Sequence, residues 1–432
     1  MVITLSMSTE VTEVETAKSA NSGRASEMFR ALSHRNYRLF WSGAFLSNIG
    51  TWMQAVAQGW LVFQLSNSPF WLGLDAFMSM APGIVLTLAG GVFADLVDRR
   101  RLLIYTQVVS GLAALTLGTL VVTHVVTVPM ILVLSFITGS CFSLAGPSYQ
   151  AITFDLVGRD DVANAVALNS TQFQLSRVLG PVFAGVGFRI FGLAGCFFAN
   201  ALSFVAVVTA LAMVRFEAVP GAGGAPPVAR ERGAFLRDLF DGFRYVRHRP
   251  RVSMLLVISS VTSLFGAPYL SMTPVYARDI FHLGETGLAM LMGVAGAGAF
   301  FGALFLAYLG DFRRKGLSVL GGAFAFGVCL IGFALSRNLA VSLVFLFSMG
   351  CAIVLSVAVT NTLLQQLVTN EMRGRVMSMF MLSFIGAMPI GNLIAGVVSQ
   401  RFGVPHTLAA GGLVVTVFVA VVAMRSSRLR QL

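Results

Sequence analysis

Long runs without a single Asp, Glu, Lys or Arg recur along this chain, and their length limits its fold more than any other feature. Residues 190–214, 252–277, 286–310, 316–336, 376–400 and 402–424 are each free of charge. About 20 apolar helical residues cross the hydrocarbon core of a bilayer, so each run is sized for one span. Residues 102–154 hold two more helices with a turn near His124–Pro129, and 338–370 hold one with polar ends. A first span within 39–65, a second over 71–94 broken only by Asp75, and a further one over 164–189 containing Arg177 bring the expected total to twelve. Hydrophobic residues make up 56% of the chain and charged ones 11%, with a mean hydropathy of +0.81. Ordinary soluble domains have about 45–50% and about 25%. Membrane β-barrels alternate polar and apolar residues, which these runs do not, so an all-α membrane protein is the expected class.

The net charge of +12 does not call for nucleic acid, because its placement already has a reason. Of the 30 basic residues, Arg189, Arg278, Arg337 and Arg401 fall in odd-numbered loops and Arg177 inside a span. The other 25 sit in the amino tail, the even-numbered loops and the carboxyl tail, as in Arg99–Arg101, Arg244–Arg251, Arg313–Lys315 and Arg425–Arg430. That is the positive-inside pattern, which predicts both termini on the cytoplasmic side of a bacterial-type inner membrane. Residues 1–28 are polar and lack the apolar centre of a cleaved signal, so a disordered tail is expected there. Cys141, Cys196, Cys329 and Cys351 lie within apolar runs without CxxC spacing and are expected to pack singly, with no metal site or cofactor.

Residues 215–251 form the long polar interruption between the sixth and seventh spans and divide the chain in its middle. VPGAGGAPP from Val219 is a flexible linker. Beyond it, Phe235, Leu236, Leu239, Phe240 and Phe243 recur at helical spacing opposite Arg237, Arg244 and Arg247. This fits a short amphipathic helix lying on the membrane surface or packed on the cytoplasmic loops. The expected units are therefore an amino-terminal six-helix bundle (29–214), the linker, a second six-helix bundle (252–424) and a basic tail (425–432). The halves echo each other at an offset of roughly 210 to 216 residues, as internally repeated transporters do. Asp98–Arg101 echoes Asp311–Arg314, and LVGRDDVANAV from Leu156 echoes LVTNEMRGRVM from Leu367.

GVFADLVDRRR from Gly91 resembles the signature loop of the major facilitator superfamily, in which a glycine and, four residues on, an aspartate precede a basic cluster. Gly91 permits close helix approach, and Asp95 is suited to charge-assisted hydrogen bonds from an arginine or a helix amino end. Asp98, Arg99, Arg100 and Arg101 complete this expected inner gate. Leu96 and Asp98 depart from the general motif, and Tyr308 stands in the second half where Asp95 would fall, so an asymmetric lock is expected. In the fifth span, RVLGPVFAG from Arg177 is similar to the Gly-Pro motif of superfamily antiporters, with Gly180, Pro181 and Gly185 allowing a bend and tight contact. The eleventh span carries a related GAMPIGNLIAG from Gly386. Stretches from Phe29, Pro147 and Phe235 resemble the subgroup containing enterobactin exporters and macrolide efflux proteins. The resemblance implies a twelve-helix, two-bundle fold with alternating access and, commonly, proton-coupled export.

An ionisable side chain at mid-bilayer costs roughly 2.5–3.5 kcal/mol, so such residues usually serve a pathway. Arg177 is expected to line the cavity and to attract anionic or polar substrate groups or a carboxylate. Asp75 is the candidate proton carrier, although it lies about one turn, roughly 5.4 Å, from the outer end and is expected rather to reach outer water. A direct Asp75–Arg177 pair is not expected, since roughly 12 Å of depth separates them. Gln54 and Gln58 share a helix face expected to meet the cavity, and Asn169, Gln172, Asn361 and Gln365 are further cavity candidates. No HExxH or Gly-x-Ser-x-Gly pattern is present, and the five histidines lie at span ends or in loops, which argues against an enzyme. The expected function is export of small amphiphilic molecules, with protons as coupling ion; a flippase for a lysophospholipid-type substrate is the alternative.

Overall fold

The computed structural model describes residues 29–96, 98–214, 242–310 and 312–426. Within them the chain is helical and folds as twelve long segments that run alternately up and down. The first six are α1 (Arg35–Ser66), α2 (Pro69–Leu96), α3 (Arg99–Val122), α4 (Val128–Gly158), α5 (160–191) and α6 (193–213). The second six are α7 (Pro250–Ile280), α8 (Gly284–Leu309), α9 (Lys315–Leu335), α10 (Leu339–Leu367), α11 (Asn370–Phe402) and α12 (Val404–Arg425). Nine described stretches are long and apolar enough to cross a bilayer, and one of them, Asp160–Met213, is long enough to do so twice. α1 and α2 complete the set.

Breaks fall where the sequence removes backbone hydrogen bonds or supplies glycine. Gly158 and Gly192 adopt φ of 70° and 67° and separate α4, α5 and α6; Gly403 at φ 81° parts α11 from α12. A left-handed backbone of this kind is open to glycine at no steric cost. α7 is interrupted before Pro268 and ends in a π-helical turn over Tyr276–Ile280 after Pro274. α11 is interrupted at Gly386, three residues before Pro389, whose missing N–H leaves the preceding turn short of a bond.

The turns at one end of the bundle carry Arg99–Arg101, Arg249, Arg251, Arg313–Lys315, Arg373 and Arg375, and this is termed the basic end. Buried apolar side chains form three clusters whose distribution defines the state of the molecule. At the far end a single cluster spans both halves, joining Val56, Phe63, Phe188 and Phe197 to Tyr269, Tyr276, Phe326 and Phe333. At the basic end each half has its own cluster: Tyr37, Phe40, Leu103, Ile152 and Leu211 in the first, and Leu255, Val319, Leu364, Val376 and Val419 in the second. Among the described residues, the apolar core shared by the two bundles therefore lies at the far end, while at the basic end each bundle has its own.

Helix seams rely on small residues, as expected where lipid offers no hydrophobic drive for association. A Cβ on Gly302 would lie 2.8 Å from Cα of Cys351, and one on Gly322 would lie 2.9 Å from the Ala352 carbonyl. The expected tail over 1–28 and most of the expected linker, 215–241, lie outside the described residues. Of the expected amphipathic helix, 242–247 is helical with Phe243 exposed. α7 begins at Pro250, two residues before the expected edge.

Candidate transport pathway

Asp75 sits in the second turn of α2, and the structure buries it among polar partners, leaving it 8% exposed. This corrects the expectation that it reaches outer water. The depth is as anticipated, but the side chain turns inward to α1 and α4. Gln58 Nε2 donates to both carboxylate oxygens at 3.0 and 2.9 Å, and Ser135 Oγ donates at 2.5 Å. Ser135 Oγ also accepts from Gln58 Nε2 at 2.9 Å, and the Ile131 carbonyl, 2.9 Å away, is an alternative acceptor for its single proton. Gln58 is therefore part of the Asp75 site. Gln54, one turn earlier on α1, accepts from Asn200 Nδ2 of α6 at 2.7 Å. The two glutamines share a stripe of α1, but their flexible side chains diverge to different neighbours.

Arg177 lies near the middle of α5 and is half-buried. Its guanidinium stands 5.4 Å from the centre of the Trp52 ring of α1, and Phe173 meets the same ring edge-on at 6.1 Å. No ion pair or hydrogen bond joins Arg177 to a described side chain, and Asp75 is committed elsewhere, as the depth difference required.

The Gly-Pro motif forms part of the seam between the halves. A Cβ on Gly180 would press on Trp52 of α1 and lie 3.0 Å from the Met53 nitrogen, whereas Pro181 faces Gly293 and Gly185 faces Ala289, both of α8. The related segment in α11 does the same on the other side: Gly391 abuts the Leu264 backbone of α7, and Gly396 meets Gly73 of α2, with a Cβ only 3.1 Å from its Cα. These contacts lie in the far halves of their helices.

Two polar contacts at the far end close the seal, and neither follows from a sequence motif. Arg278 of α7 donates to Asn67 Oδ1 at 2.6 Å and to the Phe63 carbonyl at 3.4 Å, with its guanidinium 3.8 Å from the Phe63 ring centre. Asp279 holds the same arginine at 2.7 Å. Ser68 Oγ donates to Gln400 Oε1 at 2.6 Å. The only advance signal was that Arg278 is one of few basic residues on the arginine-poor side.

At the basic end, Asp98 caps α3 by accepting from the Arg100 and Arg101 amides at 2.9 and 3.3 Å. Arg99 reaches Asp155 of α4 at 3.4 Å, and Arg100 donates to the Leu211 and Ala212 carbonyls of α6 at 3.0 and 2.7 Å. These contacts tie α3 to its own half. Gly91 lies in the last turns of α2, and the side chain of Asp95 falls outside the described residues.

The remaining cavity candidates divide. Asn169 is used in packing: it accepts from Tyr37 Oη at 3.0 Å and donates to Thr153 Oγ1 at 3.2 Å, joining α1, α4 and α5. Gln172 is buried on α5 with its amide in range of the Tyr149 hydroxyl of α4, and Ser148 and Ser176 are buried on the same two helices. Asn361 accepts from Gln365 Nε2 at 2.5 Å toward the basic end of α10. Asp161 is buried and pairs with Arg30 at 2.9 Å and His34 at 2.7 Å, pinning the approach to α1 onto α5.

Residues 26–432 match the family described as "Transmembrane secretion effector". Among characterised relatives, the chain is similar to the staphyloferrin A transporter of Staphylococcus aureus (strain NCTC 8325 / PS 47), 23% identical over 87% of this chain and 92% of that protein. It is likewise similar to macrolide efflux protein A of Streptococcus pyogenes, 23% identical over 92% of this chain and 98% of the relative. Among solved structures, the D323A mutant of the nucleoside transporter NupG superposes with a TM-score of 0.72 over 90% of this chain and 100% of the other, at 13% identity, a likeness of fold.

Proposed function

Because the chain belongs to the transmembrane secretion effector family of major facilitator superfamily transporters, and is no enzyme, we propose that it exports small amphiphilic molecules across the inner membrane by alternating access. The observation that carries this reading is the split of the core: one shared cluster at the far end, two separate clusters at the basic end. Two bundles joined this way have a second arrangement available, in which the far-end seam parts and the basic ends meet. A solute bound between them is then exposed to each side in turn. The positive-inside pattern supports a cytoplasmic basic end, and on this reading the arrangement with the far end closed is the one that loads from the cytoplasm.

Proton antiport is the proposed energy source, with Asp75 as the carrier. It is a buried carboxylate in the outer part of α2, and two neutral donors, Gln58 and Ser135, hold it without neutralising it. Both remain able to bond the protonated acid, so proton uptake does not require the site to be dismantled. Opening the far-end seam would bring water to this level and let the proton enter from outside. The secretion-family match, together with relatives whose names include efflux, supports the outward direction.

The test is export by purified protein in liposomes with an imposed proton gradient. Accumulation of an amphiphilic dye driven by the gradient, and stopped by a protonophore, is the expected result. Uphill transport unaffected by gradient collapse would remove the antiport reading, and no transport of any amphiphile tested would remove the export reading.

A further inference from the structure

Arg177 is a permanent cation, since a guanidinium does not lose its proton in proteins. It lies about halfway along a membrane-spanning helix, where a charge is costly unless something answers it. Its neighbours are aromatic: Trp52 beneath the guanidinium, Phe173 against Trp52, and buried Tyr269 of α7 within electrostatic range. No described carboxylate or carbonyl accepts from its N–H groups. Asp75, the acid in the outer part of α2, is enclosed by Gln58 and Ser135.

The height of Arg177 is as informative as its company. The far-end seam between α5 and α8 starts at its own backbone, where the Arg177 carbonyl abuts Gly296, and continues outward through Pro181 against Gly293 and Gly185 against Ala289. On the basic side of that level the two halves have separate cores. Arg177 therefore sits, among the described residues, at the level where the shared far-end core gives way to separate ones. Alternating access exposes this same level to both sides, which is where a transported solute must bind.

Resting on the reading of that opening as the transport route, we propose that Arg177 is the substrate-recognition group and that the solute carries an acidic group on an apolar or aromatic body. The acid, a carboxylate or phosphate, takes paired hydrogen bonds from the guanidinium fork. The body lies along Trp52 and Phe173, whose faces accept flat apolar groups. Binding such an anion pairs the Arg177 charge at the interface between the halves, so it favours the rearrangement that carries the solute across.

The experiment measures binding of carboxyfluorescein, an aromatic acid, and of rhodamine 6G, a related cation, to the full-length protein in neutral detergent. Wild type, Arg177→Gln and Arg177→Lys are compared, with size-exclusion profile and thermal melting as the check on folding. Expected are a rise in the carboxyfluorescein Kd of at least about tenfold in the Gln variant, partial recovery with Lys, which keeps the charge but loses the fork, and no weakening for rhodamine 6G. Unchanged carboxyfluorescein affinity in a folded Gln variant, or an equal loss of both dyes, overturns the proposal. Displacement of carboxyfluorescein by dihexanoyl phosphatidic acid but not by dihexanoyl phosphatidylcholine would place the acidic group on a lipid; no displacement by either would place it on a soluble solute. Transport in liposomes separates this inference from the one beneath it. Wild type that binds the acid but exports nothing sinks the transport reading alone, whereas an Arg177→Gln protein exporting the acid at the wild-type rate sinks this one alone.

Discussion

Gly185 and Gly396 make the same kind of contact in the two halves of the molecule, one on α5 against Ala289 of α8 and the other on α11 against Gly73 of α2. They are about 210 residues apart, the offset at which the halves echo each other in sequence. Gly180 and Gly391 repeat the relationship one turn earlier, against α1 and α7. The seam between the bundles is thus built twice from one pattern of small residues, and the two copies together close the far end.

Substituting leucine for Gly396 tests the seam. A side chain there meets Gly73 Cα and the Phe70 carbonyl, both at 3.1 Å from the added Cβ, and backbone cannot withdraw as a side chain can. Overpacking of this kind costs about 1–3 kcal/mol, enough to shift a two-state balance by roughly five- to 150-fold away from the far-end-closed form. Spin labels placed at Ser68 and Gln400 should report a longer separation in Gly396→Leu, with slower export. An unchanged distance distribution would show that the α2–α11 seam does not hold the far end shut.

Arg278→Ala removes the polar latch at the same end. The lost contacts are one bond to Asn67, a weaker one to the Phe63 carbonyl and the stacking on its ring. A loss of about 1–2 kcal/mol is expected for these partly exposed groups. Hydrogen exchange over the α1–α2 turn should rise in the variant while the basic-end helices keep their protection. Uniform change along the chain would point to a general loss of stability instead.

Asp75→Asn should separate folding from coupling. Asparagine keeps an oxygen for Gln58 and Ser135 but carries no titratable proton, so the helix contacts persist. Export driven by a proton gradient should fall at least tenfold, while exchange of solute down its own gradient continues. Gradient-driven export at the wild-type rate would remove Asp75 from the coupling route.

Asp161→Ala should lower stability without touching the pathway. It leaves Arg30 and His34 without their shared partner and takes a buried carboxylate from the α5 amino end. Arg30 is largely exposed, which limits its share, so a total of about 1–3 kcal/mol is expected, read as a lower melting temperature in detergent. Dye affinity should stay at the wild-type value.

Asp98→Ala removes a helix cap. Its carboxylate accepts from the amides of Arg100 and Arg101 at the start of α3, and losing such a cap costs about 0.5–2 kcal/mol. Faster hydrogen exchange confined to the first turn of α3 is the expected readout.

The sequence by itself determined the number and order of the spans, because a bilayer punishes each unpaired backbone group and each stray charge along a run, and that penalty is local and additive. It marked Arg177 and Asp75 for the same reason, and Gly180, Pro181 and Gly185 by their spacing. Only the tertiary structure decided where side chains point across seams. Asp75 was expected near outer water and is instead enclosed by Gln58 and Ser135; Gln54 and Asn169 each take partners on neighbouring helices that their spacing does not name; Arg278 became a latch through Asn67, more than two hundred residues away in the chain. Which partner a polar group takes depends on the rotation of each helix about its axis. That rotation follows from the packing of all its neighbours together, a collective property that no single stretch of sequence records.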